Sequence, residues 1–300
     1  MHPAPSVILF TVLSGAGFGF LFMLDAGVLR PAGLGALVAF GLAYVLATCG
    51  LLASTFHLGN PQRALRAFSQ WQTSWLSREG WASVAALGLS APVALAAVGG
   101  GGPGMIGLIG ALLCASTILC TAMIYAQLKT VPRWNHWTTP LSFFAYAATG
   151  GAILSGQRLL ALACCVALGI VILLAFRLGD RQFGQRGSSL GAATGLGPQV
   201  RPFAPPHTSP NYVMREMIHQ VGRKHARKLR VVALGLSAVL PALVLLVAPG
   251  GLIGSLLAFA LHLSGAFAQR WLFFAEAEHV VSHYYGRPDE AGVAAGGPFP

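Results

Sequence analysis

Long apolar runs, separated by short polar or glycine-rich connections, constrain this chain more than any other feature of its sequence. Each run is close to the ~20 residues with which an α-helix crosses a bilayer. Eight such runs cover residues 5–24, 34–58, 80–98, 105–126, 139–155, 159–176, 231–248 and 252–275. Charged residues make up only 9% of the chain, whereas a soluble domain carries roughly 25%. Because lipid cannot satisfy backbone hydrogen bonds, the sequence predicts an all-α polytopic membrane protein with eight transmembrane helices, in which residues 1–300 form a single integral membrane domain.

The distribution of Lys and Arg predicts the orientation of the helices. With eight spans, both termini and the loops 59–79, 127–138 and 177–230 lie on one side, called face A, and the other connections lie on face B. Of the 19 Lys and Arg residues, only Arg30 and Arg158 fall on face B. Positively charged loops stay in the cytoplasm, so face A and both termini are expected to be cytoplasmic, in the inner membrane of a bacterium. The first apolar run lacks a basic leader and a small-residue cleavage site, and we interpret it as a retained helix rather than a signal peptide.

Residues 177–230, between the sixth and seventh predicted helices, form a long basic extramembrane loop. The first half is rich in Gly and Pro and is expected to be irregular. The second half, residues 211–230, is expected to be helical because four apolar residues recur at helical spacing. These residues are Met214, Met217, Ile218 and Val221. The basic residues that follow favour either contact with anionic lipid or a docking surface for a partner, and the sequence contains no module that would indicate binding to nucleic acid.

Ionisable and metal-binding residues are sparse within the predicted spans. None of the acidic residues falls in the middle of a span, so the sequence predicts no buried carboxylate relay of the kind that a proton-driven transporter needs. Only His262 lies near the centre of a span, which leaves no matched histidine pair for haem, and we expect it to make a polar contact between helices. The cysteines lie inside apolar runs without metal-ligand spacing. We therefore expect no haem, no iron–sulfur cluster and no metal site in this chain.

The stretch between the second and third predicted helices carries the most chemistry. His57 is the last polar residue before the second helix breaks at Gly59, and Glu79 opens the third helix. Both side chains are expected at the same depth near face A. There, an imidazole and a carboxylate can accept protons from an amphiphilic ligand whose tail stays in lipid. Arg63 and Arg66 would favour an anionic form of that ligand.

The same residues also allow purely structural roles. His57 could cap the carbonyl groups at the end of the second helix. Ser77 could be the N-cap of the third helix, with Glu79 as a first-turn carboxylate that interacts favourably with the helix dipole. Arg63 and Arg66 could be ordinary positive charges of a cytoplasmic loop.

Several segments spread over the chain share the pattern of one family. They are residues 2–17, GLLASTFHLG at 50–59, RAFSQW at 66–71, WLSREG at 75–80, TSPNYVM at 208–214 and RKHARK at 223–228. In these motifs and in the number of predicted helices, the chain resembles the membrane anchor subunit of the dimethyl sulfoxide reductase family.

The resemblance implies a subunit that oxidises menaquinol without a metal or haem of its own. It implies two partners, a four-cluster iron–sulfur subunit that receives the electrons and a molybdopterin catalytic subunit. It also implies that His57 and Glu79 act in quinol binding and oxidation, and that Arg63 contributes more weakly. With Gly59 and Arg66 from the same stretch, these residues form the expected quinol-binding set, in which His57 and Glu79 are catalytic. The chain would then contribute only quinol oxidation to anaerobic electron transport. A transporter or channel and a purely structural anchor are the alternatives from other classes.

Overall fold

The structure, a computed structural model, describes residues 2–57, 60–197, 200, 212–217, 225–248 and 251–285. These residues form an all-α fold, as the sequence predicts. The α-helices are α1 (Pro5–Asp25), α2 (Gly33–Ala53), α3 (Trp75–Val98), α4 (Gly104–Ala126), α5 (Thr138–Leu154), α6 (Arg158–Gln185), α7 (Leu190–Thr194), α8 (Tyr212–Met217), α9 (Ala226–Leu234), α10 (Leu240–Val247) and α11 (Leu252–Ala275). A π-helical turn, Gly235–Val239, joins α9 to α10.

Seven segments in the described part of the chain are long and apolar enough to cross a membrane. They are α1, α2 with its short extension to Phe56, α3, α4, α6, the α9–α10 segment and α11. The remaining predicted span is α5, which has 17 residues and so is at the lower limit of length for a span. The count of eight spans therefore stays a prediction.

Contacts at its two ends show that α5 nevertheless runs from one end of the helix bundle to the other. Just before α5, Trp134 donates a hydrogen bond from Nε1 to the Phe273 carbonyl oxygen near the end of α11, at 2.9 Å. Just after α5, Gln157 donates from Nε2 to the Val28 carbonyl oxygen beyond the end of α1, at 3.3 Å. The first contact lies at face A and the second at face B.

The core forms around α1, which packs against α2, α4, α5 and α11. Small residues allow this close packing. A Cβ atom at Gly17 would collide with the backbone nitrogen of Ala47, and one at Gly19 would collide with the carbonyl oxygen of Ala147. Only glycine permits such an approach between backbones. Because lipid tails are as apolar as a protein core, close van der Waals packing of this kind supplies much of the attraction between membrane helices.

The helical parts of the long basic loop differ in extent from the prediction. The sixth span was expected to end at residue 176, but α6 continues to Gln185. A fall in apolarity does not itself break a helix, and α6 ends just before Gly187, whose φ of 63° is a left-handed conformation suited to glycine. In the second half of the loop, α8 and the first residues of α9 are helical as predicted, and residues 218–224 lie outside the described residues.

An ion-pair network ties together the elements at face A. Arg133, from the connection between α4 and α5, contacts Asp180 of α6 at 2.9 Å and Glu276, just after α11, at 2.7 Å. Arg230 of α9 contacts the same two carboxylates at 2.6 Å and 2.7 Å. Two cations and two anions thus join four separate segments, and they fix the base of the long basic loop against the ends of α6 and α11.

Candidate functional site

The connection between α2 and α3 folds into two 3-10 helices at face A. The first, η1 (Ser54–His57), continues α2 and contacts α1. The second, η2 (Pro61–Phe68), begins with a proline, whose fixed φ suits the first turn of a helix. The structure therefore places the His57 backbone at the end of η1, beside α1 and α2. Gly59, which the sequence placed in the quinol-binding set, lies outside the described residues.

Glu79 points into the bundle and not toward solvent. It lies one turn inside α3, only 3% of its surface is exposed, and its Oε1 accepts a hydrogen bond from the Thr121 hydroxyl of α4. The N-cap position of α3 is Ser74, whose side chain makes no capping hydrogen bond. The alternative that made Ser77 the N-cap is therefore wrong. Ser77 is buried in the first turn, and its hydroxyl has no hydrogen-bond partner within the described ranges.

The arginines of this region point outward. Arg63 and Arg66 are exposed on η2. Arg78 donates hydrogen bonds from Nε to the Trp71 carbonyl oxygen at 2.9 Å and from Nη2 to the Gln72 carbonyl oxygen at 2.6 Å. It thereby closes the turn that leads into α3. The structure brings η2 against α3, but it does not bring Arg63 or Arg66 to the Glu79 carboxylate, which is bonded to Thr121 on the inner side of α3.

A small internal cavity of about 20 Å³ lies next to the partner of Glu79. It is lined by residues of α1, α4, α5 and α11, and its polar lining includes Thr121, Tyr146, His262 and Arg270. A cavity of this size can hold about one water molecule. Glu79 is thus connected through the Thr121 hydroxyl to a polar interior that the sequence did not predict.

Arg270 contributes the positive charge of that interior. The sequence placed it among the charges of face A, but only 3% of its surface is exposed. Its guanidinium carbon lies 3.6 Å from the centre of the Phe143 ring, in a cation–π arrangement. Nη1 donates to Gln269 Oε1 at 3.3 Å, and no carboxylate within the described ranges forms an ion pair with it. A cation held inside a membrane bundle without an anionic partner is a candidate for a functional group.

Asp25, at the other end of the bundle, is also buried. Only 1% of its surface is exposed, and Oδ2 accepts a hydrogen bond from Ser90 of α3 at 2.5 Å. Neither Asp25 nor Glu79 lies in the middle of a span, as the sequence indicates, but both are buried, which the sequence did not predict. Asp25 is the last residue of α1 and lies at the level of its partner Ser90. Because α3 continues for about 12 Å past Ser90, at 1.5 Å per residue, the end of α1 lies inside the bundle. Hydropathy along one helix does not reveal how far its neighbours extend.

His262 makes the contact between helices that the sequence predicts. Nδ1 lies 2.8 Å from the carbonyl oxygen of Ser237, in the π-helical turn, and Nε2 lies 3.2 Å from that of Tyr146 in α5. A neutral imidazole has one N–H, so it donates to one of these carbonyls at a time. Elsewhere in the described part of the chain, no three His, Cys, Asp or Glu side chains are grouped closely enough to hold a metal ion.

The arrangement can bind and release protons inside a membrane protein at two places. Near face A, a buried carboxylate is joined by a hydroxyl to a cavity that also contains a guanidinium group. Near face B, a second buried carboxylate is held by a serine. Thr121, Arg270 and Asp25 were missed as site residues. In the sequence, each of them is only a polar or charged residue within or directly next to an apolar run. That position does not show whether the side chain faces lipid, solvent or another helix.

Fold and site together define a multi-pass α-helical membrane protein with a polar interior. A family model described as DMSO reductase anchor subunit (DmsC) matches residues 1–176. The chain belongs to this family, and it is accordingly a membrane anchor associated with a catalytic oxidoreductase complex. It is also 34% identical over 331 residues to a sulfite dehydrogenase subunit of Allochromatium vinosum, an alignment that covers 95% of this chain and 99% of that protein. No solved structure matches the chain.

Proposed function

We propose that this anchor subunit exchanges electrons and protons between menaquinol in the membrane and an iron–sulfur subunit docked on face A. The observation that carries the proposal is Glu79, a buried carboxylate one turn inside α3 and bonded to Thr121. It lies beside the connection that contains His57 and the exposed arginines of η2. A buried acid at the edge of the hydrocarbon region is suited to receive a proton from a ligand that enters from lipid.

In the proposed reaction, a quinol headgroup binds between η1, η2 and the start of α3. His57 faces one hydroxyl group, and Glu79 receives the proton of the other, directly or through water. Arg63 and Arg66 provide positive charge near the headgroup, and Gly59 belongs to the same proposed quinol-binding set. Both O–H bonds break, the ring becomes a quinone, and two electrons leave for the iron–sulfur partner.

The partners and the location complete the proposal. The electrons pass to a four-cluster iron–sulfur subunit and on to a molybdopterin catalytic subunit, in the inner membrane of a bacterium, with face A and both termini in the cytoplasm. The excess of Lys and Arg on face A supports this orientation. The relative named as a sulfite dehydrogenase subunit favours the opposite direction of electron flow as a second candidate. A partner that oxidises sulfite would deliver electrons to the same site, which would then reduce a quinone.

The experiment compares His57→Ala and Glu79→Gln in the assembled complex. We expect each substitution to lower menaquinol-dependent turnover at least about 100-fold, as for the loss of a general base, while turnover with a water-soluble electron donor stays intact. His136→Ala is the matched control. His136 also lies at face A, on the connection between α4 and α5, and its Nδ1 is 2.9 Å from the Thr138 hydroxyl. Burial lowers the pKa of His136, and this imidazole lies outside the proposed site. Unchanged menaquinol turnover in both His57→Ala and Glu79→Gln would refute the proposal.

A further inference from the structure

Two of the buried carboxylates, Glu79 and Asp25, lie at opposite ends of the α3–α4 helix pair. Glu79, near face A, contacts Thr121 across the α3–α4 interface. Asp25, near face B, contacts Ser90 of α3 and lies against Gly110 of α4, where a Cβ atom would come within 2.8 Å of Oδ2. Gly110 therefore leaves the space that the Asp25 carboxylate occupies. From Glu79 to Ser90, α3 rises about 16 Å, which is more than half the thickness of the hydrocarbon region.

Polar side chains occupy the interface between these two ends. Ser83 follows Glu79 by one turn of α3 and is 3% exposed, and Thr117 precedes Thr121 by one turn of α4 and is 1% exposed. Further toward face B, the fully buried Cys114 lies beside Ser90. We call these residues the polar seam: Glu79, Thr121, Ser83, Thr117, Cys114, Ser90 and Asp25. Its members follow one another along the α3–α4 interface at about one helical turn.

The hydroxyl groups of the polar seam donate to backbone carbonyl oxygens of their own helices, and the hydroxyl groups near its two ends also donate to a carboxylate. Thr117 donates to the Leu113 carbonyl oxygen at 2.9 Å, and Thr121 donates to the Thr117 carbonyl oxygen at 3.0 Å and alternatively to Glu79. Ser90 is likewise shared between its own helix, through the Ala86 carbonyl oxygen at 2.9 Å, and Asp25. A hydroxyl that can switch between two acceptors while its lone pairs accept a further proton is the element from which proton relays are built.

Asp25 provides the exit to face B. Its Oδ1 is buried and has no hydrogen-bond partner within the described residues, and such an orphaned carboxylate oxygen calls for a proton or a water molecule. The next residue, Ala26, is exposed. The carboxylate therefore lies within the face B half of the bundle, next to an exposed residue of the turn that follows α1.

We propose that the polar seam conducts protons between Glu79 and face B, with Asp25 as the proton-loading group at its outer end. This inference rests on the proposed function. When a quinol is oxidised, one O–H proton leaves toward face A by way of His57. The other passes to Glu79, along the polar seam to Asp25, and out at face B, while both electrons enter the iron–sulfur cluster of the partner. If a quinone is reduced instead, each transfer runs in reverse. In either direction turnover moves charge across the membrane, whereas proton exchange with face A alone would move almost none.

The test uses the assembled complex reconstituted in liposomes, with a potential-sensitive dye as the readout of charge moved per two electrons. We expect about one elementary charge per quinol or quinone turned over in the unaltered complex. Asp25→Asn keeps the shape of the side chain but cannot carry the proton, and it should lower this ratio at least threefold. Asp25→Glu should restore most of it. Thr117→Val interrupts the middle of the seam and should lower the ratio as well, which keeps the test decisive if Asp25→Asn fails to fold.

Thr149→Val is the matched control. Thr149 is 0% exposed and bonds to the Ala145 carbonyl oxygen, but it lies on α5, outside the polar seam, so its loss should leave the ratio unchanged. An unaltered complex that turns over quinone without moving charge would overturn the inference, as would seam variants that keep the full ratio. Both results are distinct from a failure of the proposed function, in which His57→Ala and Glu79→Gln would leave menaquinol turnover unchanged and the seam would lose its proton source.

Discussion

Glu276 and Asp180 bind the same two guanidinium groups, but their burial predicts very different contributions to stability. The Glu276 oxygens lie 2.7 Å from Arg133 and 2.7 Å from Arg230, and its side chain is only 6% exposed. Asp180 contacts the same arginines at 2.9 Å and 2.6 Å, but its side chain is 45% exposed. Distance alone would rank the two carboxylates as equal, so a comparison of Glu276→Gln with Asp180→Asn isolates the effect of the surroundings.

The expected magnitudes follow from how each charge is solvated. Glu276→Gln leaves two partly buried guanidinium groups facing a neutral amide, whose NH₂ group can only donate. Breaking a buried ion pair on one side typically costs about 3–5 kcal/mol. Asp180→Asn removes a carboxylate that water already screens, and exposed pairs contribute about 0–1 kcal/mol. We therefore expect Glu276→Gln to lower the free energy of unfolding by several kcal/mol more than Asp180→Asn.

The measurement is the unfolding free energy of both variants in detergent micelles, at low and at high salt. Added salt should reduce the small effect of Asp180→Asn and leave most of the effect of Glu276→Gln, because buried pairs are screened less. Equal losses for the two variants, or a Glu276→Gln loss that disappears in high salt, would refute the reasoning.

Two further predictions concern the interior of the bundle. Gly17→Val should lower the unfolding free energy by more than about 2 kcal/mol or prevent folding, because a Cβ at Gly17 would collide with the Ala47 backbone. Gly15→Ala is the control. A Cβ at Gly15 meets nothing within 4 Å, so this substitution should change the unfolding free energy very little. Arg270→Met should leave the unfolding free energy unchanged or raise it, since an apolar side chain in place of a buried unpaired charge is often neutral or stabilising. The menaquinol-dependent turnover of the complex should fall. A large loss of stability with unchanged turnover would contradict the functional role of this charge.

The helical architecture could be predicted from the sequence because crossing a bilayer demands about 20 apolar residues from any helix, whatever its neighbours. That requirement is local, and the starts of α3 and α4 accordingly lie within a few residues of the predicted spans. The end of α6 was misplaced because it depends on backbone conformation at Gly187 and not on apolarity. The boundary of a span and the boundary of a helix are set by different forces.

The polar interior could not be predicted, because it depends on which residues of separate helices face each other. Glu79 and Asp25 are the clearest cases. Each stands at the end of an apolar run and not in the middle of a span, so its position along the chain gave no sign that it is buried. In the structure, α4 supplies Thr121 to one carboxylate and the space at Gly110 to the other. Neither residue carries a signal in sequence, since threonine and glycine are common in membrane helices.

The burial of these two carboxylates also changes what the anchor can do. If both acids were at the surface, protons and electrons would leave on the same side, and the subunit would only connect a quinone to an enzyme. With Glu79 and Asp25 buried at opposite ends of the same helix pair, the path of the protons can be separated from the path of the electrons. The charge moved per turnover then depends on the α3–α4 interface. Thr117 is buried within that interface, and replacing its hydroxyl with a methyl group should uncouple the protons from the electrons.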